Sequence, residues 1–313
     1  MTGLELSKAY YEQVGKPVLE RDFPELMPYL AIGLAGAGSE CLGYDDEVSQ
    51  DHDFGPGFCI WLPDEAMVDR RSAFLLERAY AKLDAEFMGY KRPKIDPVGG
   101  ARKGVMRYAD FFTEKTGTPD GVLSDAEWLT IPYASLTEAT NGEVFADPFG
   151  GFSAVRERLA RMPEDIRKKR LAGHLLLMAQ SGQYNYQRCL DHGEPEAARL
   201  AATEFVKNAV SAAFLLNGRT EPYYKWAFRA LRALPELSGL APALSKILTL
   251  GDEPEPSFEK YNLIEDVASA VIGKLMDDGL TEATCGDLEK HAYSVNDGIA
   301  DGAVRNLHVL AGV

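Results

Sequence analysis

A chain of 313 residues suits two domains or one large one, and an apolar share of 46% supplies a sizeable core. Its formal net charge of −15 argues against a template-copying polymerase, which needs a basic stripe for nucleic acid, and for a small, even cationic, substrate. No apolar run reaches the roughly 18 residues of a transmembrane helix, the start Met1 to Lys8 does not read as a signal peptide, and Cys41, Cys59, Cys189 and Cys285 form no Cys-x-x-Cys pair, so a cytoplasmic protein with free thiols and no zinc site is expected.

Leu4, Leu6, Tyr10, Tyr11 and Val14 recur at roughly helical spacing and predict a first helix that Pro17 ends or redirects. Val18, Leu19, Phe23 and Leu26 lead into the apolar run Tyr29 to Ala35, a predicted buried strand. A glycine-rich turn follows and ends in Gly38-Ser39; Asp51-His52-Asp53 then leads into a second apolar run, Phe58 to Leu62. On a strand, two acids spaced two apart point to one face. Side by side they repel unless a cation neutralises them, and Mg²⁺ (or Mn²⁺) is usually held by one or two carboxylates plus substrate phosphates. The Gly-Ser turn suits the phosphate end of such a site, because glycine lets backbone N–H groups approach phosphate oxygens and serine adds a donor. His52 alternates to the opposite face and is given no catalytic role.

This arrangement, an apolar strand ending in Gly38-Ser39 followed by Asp51-x-Asp53, resembles the signature of the nucleotidyltransferase superfamily. Within it the chain looks most like the two-domain antibiotic nucleotidyltransferases of the kanamycin or streptomycin type and an uncharacterised branch related to them. The core of the resemblance spans residues 29–62, with weaker likeness across the helical second half. His52 departs from the apolar residue usual there. The resemblance implies an α+β protein: a nucleotidyltransferase-type mixed sheet flanked by helices over residues 1–151, then an all-α helical bundle over 152–313 that binds substrate. It also implies NTP as co-substrate, a small-molecule acceptor and a possible homodimer.

Pro63-Asp64-Glu65 reads as a helix start. Phe74, Leu75, Ala79, Leu83 and Phe87 continue the helical spacing to a close at Gly89. Residues 90–104 form a basic loop with Lys91, Arg92, Lys94, Arg102 and Lys103, read as a solvated connection before a phosphate-facing one. Val105 to Tyr108 reads as a third strand. The resemblance implies a third carboxylate near here, but Arg107 occupies the strand and Asp110 is the nearest acid, equally read as a helix N-cap. Ser124 and Glu127 fit a capping box for a helix over 126–140 interrupted near Pro132. Asn141-Gly142 is a turn, Glu143 to Asp147 a short strand, and Asp147 is taken as structural.

From Phe152 onward the pattern predicts helices over 152–161, 164–182, 183–191, 194–216, 221–233, 240–250, 257–279 and 281–310, punctuated by glycines such as Gly182. The acidic stretch Gly251 to Pro256 reads as a solvated link. In Glu221-Pro222-Tyr223-Tyr224-Lys225-Trp226 a lysine flanked by aromatics suits a cation aimed at a triphosphate or a side chain snorkelling to water. The likeness to the Lys-Trp of the streptomycin-type enzymes adds Lys225 as a catalytic candidate and Tyr224 as a nucleotide contact.

Rival motifs fail on order and spacing. Asp53-Phe54-Gly55 spells the kinase metal motif with its glycine loop too near. His52-Asp53 lacks the earlier histidine of a His-Asp phosphohydrolase. Gly33, Gly36 and Gly38 do not space as a dinucleotide loop. The sequence therefore predicts a Mg²⁺-dependent nucleotidyltransferase with Asp51 and Asp53 as metal ligands and catalytic acids, Asp110 and Lys225 as further catalytic candidates, and Gly38, Ser39 and Tyr224 on the nucleotide. The alternatives are a non-catalytic NTP-binding module and an antitoxin-like transferase acting on a protein or tRNA.

Overall fold

The computed structural model describes residues 1–49, 54–93 and 102–313, the side chains of 254–256 excepted. Helix α1 (Gly3–Tyr10) starts in a capping box in which Thr2 and Glu5 satisfy each other's backbone N–H. Pro17 does not end this helix. Winding widens to a π stretch over Tyr11–Gly15, and α2 (Lys16–Asp22) resumes with Pro17 in its first turn, where a missing N–H costs nothing. A Cβ on Gly15 would sit 2.3 Å from the ring of Phe58, so the helix approaches the sheet only because position 15 has no side chain.

The first strand is shorter than its apolar run: a 3₁₀ turn takes Met27–Tyr29 and β1 is Ala31–Leu34. Helix α3 (Ser39–Leu42) follows, then β2 (Cys59–Leu62). Helix α4 is Arg70–Ala81, capped by Asp69, so the predicted helix to Phe87 is too long. Beyond it β3 (Glu86–Phe87) and β4 (Tyr90–Lys91) form a hairpin turned by Met88 and Gly89, both at positive φ, the twist that two-residue hairpin turns require. Gly89 therefore turns a hairpin and closes no helix. Strand β5 is Gly104–Arg107 and α5 Tyr108–Thr116. The capping box at Ser124 and Glu127 opens α6 (Asp125–Thr130), and α7 is Tyr133–Thr140. Strand β6 (Glu143–Ala146) and α8 (Gly151–Leu159) complete this part.

The main sheet runs β5-β2-β1-β6. β1 is antiparallel to β2, with Ala31 opposite Trp61, and antiparallel to β6; β2 and β5 are parallel. Central position explains why all four residues of β1 and of β2 are buried. Alternation along β2 feeds two cores. Phe58, Ile60 and Leu62 join Tyr10, Tyr11 and Leu76; Trp61 stacks on Phe152 at 4.0 Å with Phe111 edge-on.

Two compact units result: residues 1–122 with 135–160, and 123–134 with 161–313. The first division after the sheet thus falls at Ala160/Arg161, against the 151/152 read from the sequence; Phe152 and Arg156 of α8 pack on Trp61 and on the end of α7. Among the described residues the second unit has no strand. Its helix α9 (Glu164–Met178) runs through a π stretch, Ala179–Tyr186, into α10 (Gln187–Asp191). Gly182 breaks nothing there: a Cβ on it would meet Phe205 at 2.3 Å, so the glycine admits α11 (Pro195–Leu216). Then come α12 (Tyr224–Leu231), α13 (Leu240–Thr249), α14 (Pro254–Asp277), α15 (Leu288–Asp297) and α16 (Gly302–Arg305). The single helix predicted over 281–310 is two, each started by an aspartate cap, Asp287 and Asp301. The chain is α+β. Among the described residues no helix is long and apolar enough to cross a membrane.

Candidate functional site

The turn after β1 is built from backbone. Gly36 and Gly38 sit at φ +115 and +113, a region L side chains rarely adopt. Asn141, at the end of α7, clamps it from both sides: its Oδ1 accepts from Gly36 N–H at 2.9 Å and its Nδ2 donates to Gly36 C=O at 2.8 Å. Arg156 holds the clamp in turn, donating to the carbonyls of Thr140 and Asn141 at 2.7 Å each; burial pulls its guanidinium down to about 10. Gly142 N–H donates to Cys41 C=O, and a Cβ on Gly142 would lie 1.9 Å from the Leu34 carbonyl. The Asn-Gly pair read as a turn is thus also the brace of the glycine turn. Gly38 and Ser39 are both half-buried.

Two neighbouring cations beside this turn have different surroundings. Lys103 is nearly buried and donates to Glu40 Oε2 and to the Gly55 carbonyl, both at 2.9 Å. Arg102 is exposed, and a Cβ placed on Gly38 would be 3.7 Å from its Nη1. Its backbone is fixed, since the Cys59 thiol donates to Arg102 C=O at 3.2 Å and Gly104 N–H bonds to Phe58 C=O. Elsewhere in the basic stretch, Arg92 donates to the Tyr80 and Leu83 carbonyls and lies 4.7 Å over the Tyr80 ring, a structural use; Lys94 lies outside the described residues. Cys41 and Cys59 are buried, and burial pushes both thiols up, Cys59 to about 12, so neither is a nucleophile at neutral pH.

Asp51 and Asp53, with His52, lie outside the described residues. Asp110 is exposed in the first turn of α5. It is not the N-cap, a position Arg107 holds; there it complements the helix dipole. Arg107 Nη1 donates to Pro63 C=O at 2.5 Å, which ties β5 to the end of β2. Asp147 accepts from the N–H groups of Gly150 and Ser153 and caps α8. In the second unit, Tyr224 is 75% exposed and packs against Tyr223 at 4.3 Å. Lys225 is exposed, with the Trp226 ring beside it at 5.1 Å, and its neighbours Tyr223 and Tyr224 are exposed as well. Among the described residues no cluster of three or more His, Cys, Asp or Glu could hold a metal ion.

Sequence reasoning missed two polar clusters of the second unit. Tyr133 bonds His174 Nε2 at 2.9 Å, and His174 Nδ1 bonds Asn208 Oδ1 at 2.8 Å. Asn208 in turn donates to the carbonyl and carboxylate of Glu204. That order assigns the proton to Nδ1 and leaves Nε2 to accept from the tyrosine. Burial holds His174 neutral, its pKa lowered to about 4, and pushes Tyr133 up to about 12. Nearby, the Ser211 hydroxyl donates to Glu221 at 2.5 Å, and burial raises that carboxyl. Asp252, read as part of a solvated link, is instead buried: Lys260, itself fully buried, reaches it at 2.5 Å, and Arg199 and the Tyr186 hydroxyl bond it as well. Separations such as 133 to 174 to 208 leave no local pattern to read.

A family model described as a domain of unknown function (DUF4037) matches residues 128–227. No curated protein and no solved structure matches the chain. The matched stretch includes Asn141, the Tyr133–His174–Asn208 chain, Glu221, Tyr224 and Lys225, and Gly38-Ser39 precede it.

Proposed function

We propose that this protein is a nucleotidyltransferase that moves a nucleoside monophosphate from an NTP to a hydroxyl or similar nucleophile of a small-molecule acceptor and releases pyrophosphate. The observation that carries the reading is the turn Gly36 to Ser39: two positive-φ glycines after a buried strand, braced by Asn141. Gly36 N–H is taken by Asn141, and Gly38 N–H is the backbone donor that this bend would offer an anion. The four-stranded mixed sheet with helices packed on it supports the nucleotidyltransferase-type arrangement, although the 128–227 match bears on a different stretch.

In this reading Gly38 N–H and the Ser39 hydroxyl bind the β,γ-phosphates. Asp51 and Asp53 offer carboxylate oxygens alone, a donor set that fits a hard divalent cation, and they would hold Mg²⁺ or Mn²⁺. When bound, the metal supplies charge neutralisation at the α-phosphate and the departing pyrophosphate. The chain's own part is to hold the triphosphate still: Asn141 and Arg156 keep the turn from relaxing, and the Lys103–Glu40 pair, being neutral overall, does not repel the anion.

The test is transfer of label from an α-phosphate-labelled NTP with Mg²⁺ to a mixture of candidate acceptors. Asp51→Asn and Asp53→Asn should each abolish transfer; full transfer by both variants sinks the reading. A second reading, NTP binding without turnover, is favoured by one observation: β5 carries no acid and its Arg107 is tied to Pro63. Metal-dependent NTP binding with no pyrophosphate released to any acceptor would select it.

A further inference from the structure

Beside the glycine turn, the fold fixes the backbone that carries Arg102. Its carbonyl is held by the Cys59 thiol, and the next residue but one, Gly104, is bonded to Phe58 C=O and paired with Cys59 in the parallel ladder. The backbone at 102 is therefore registered against the start of β2, and β2 against β1, whose end is the turn itself. From that fixed point the guanidinium reaches Gly38, where its Nη1 lies 3.7 Å from the place a Cβ would take. Lys103, one residue on, goes the other way, into the interior, where Glu40 and the Gly55 carbonyl absorb its charge. Arg102 stays exposed.

We infer that Arg102 is a phosphate-binding residue that grips the terminal phosphates of a nucleoside triphosphate lying on the Gly36 to Ser39 turn. This rests on the nucleotide reading given above and adds to it the residue that distinguishes a triphosphate from a monophosphate. A guanidinium presents a planar fork that matches two phosphate oxygens at once, and hydrogen bonds of this charge-assisted kind are about twice as strong as neutral ones. Glycine suits position 38 on two counts. Its φ of +113 disfavours other residues, and a side chain there would touch the guanidinium that the phosphate would meet. The fixed backbone also means that no main-chain ordering is added to the cost of ordering the arginine side chain when the ligand arrives.

The experiment measures binding of ATP, GTP, CTP, UTP, AMP and inorganic tripolyphosphate, each with MgCl₂, to the full chain by calorimetry, for wild type, Arg102→Ala and Arg102→Lys. Loss of a paired charge-assisted contact predicts triphosphate affinity lower by about ten- to a hundredfold in Arg102→Ala. Arg102→Lys should recover part of it, while AMP binding stays unchanged. Tripolyphosphate should follow the triphosphates, since it lacks a base. Equal triphosphate affinity in wild type and Arg102→Ala overturns the inference and leaves the nucleotide reading intact. Wild type that binds none of the probes overturns the nucleotide reading and the inference with it. A thermal melt of each variant guards against misfolding: Arg102 is exposed, so the midpoint should not move, and an equal loss for AMP and triphosphates would mark a merely structural arginine and overturn the inference.

Discussion

Both units close helix C-termini with cations, but they place those cations differently. In the first, Arg92 takes the last carbonyls of α4 and Arg156 those of α7, and both side chains stay partly in contact with solvent. In the second, two adjacent residues of α9 do the same work from the interior. Arg170 donates to the Trp128 and Ile131 carbonyls at the end of α6 and lies 3.8 Å over the Tyr133 ring. Lys169, fully buried, donates to the Arg305 and Leu307 carbonyls at the end of α16 and to Asn296. Helices of four and six residues do not stand alone, and their unpaired carbonyls need donors. The lesson is that the all-helical unit closes its short helices with buried cations, whereas the sheet unit does so with Arg92 and Arg156 only half-buried.

The comparison breaks if the buried charges of the second unit prove dispensable. Lys260→Met leaves Asp252 buried with only the exposed Arg199 for charge, and should cost about 4 kcal/mol in urea unfolding; adding Asp252→Leu should recover much of that. Loss under 1 kcal/mol in the single variant would mean the pair behaves as a surface pair. His174 sharpens the contrast through pH. The fold holds its ring neutral, with a pKa near 4 against 6.5 in the unfolded chain, so the stability it contributes is complete above pH 6.5 and lost as pH falls toward 4. The loss should be on the order of 3 kcal/mol, read as unfolding free energy from pH 7 to 4, and His174→Asn should flatten that part of the profile. In the sheet unit the largest polar contribution should be smaller: Asn141→Ala removes two bonds to Gly36 and should cost about 1–3 kcal/mol. It should also weaken triphosphate binding by slackening the turn. Unchanged binding would separate the brace from the site.

How far the sequence could be read follows the range of the forces involved. The capping box at Ser124, the Asn141-Gly142 turn, the apolar strands and the interruption at Pro132 are local features, and each has its counterpart in the structure. The α+β class, which the resemblance implied, is the class the structure has. Periodicity failed where apolar residues serve two geometries: Leu83 and Phe87 continue the spacing of α4 yet belong to the turn and hairpin beyond it, because both faces lead into one core. Charge was misread where burial decides it. Asp252 stands in an acidic, proline-bearing stretch that looks solvated, and only Lys260, Arg199 and Tyr186, brought in from other helices, make it internal. For the site, Gly38 and Ser39 were legible as a turn. Asn141, Arg156 and Arg102 were not legible as its partners, since nothing local links them to it.

The two π-wound stretches, Tyr11–Gly15 and Ala179–Tyr186, have an implication for how this chain tolerates change in length. A wide turn takes in one residue more than an α-turn and absorbs most of the roughly 100° by which that residue would otherwise swing everything after it. Each unit thus owns a slack link in an otherwise rigid rod. Dropping a single residue there should return the stretch to α winding and keep the following helix in phase, with Pro17 still near the head of α2, while the same deletion one turn away would throw a whole apolar stripe out of phase.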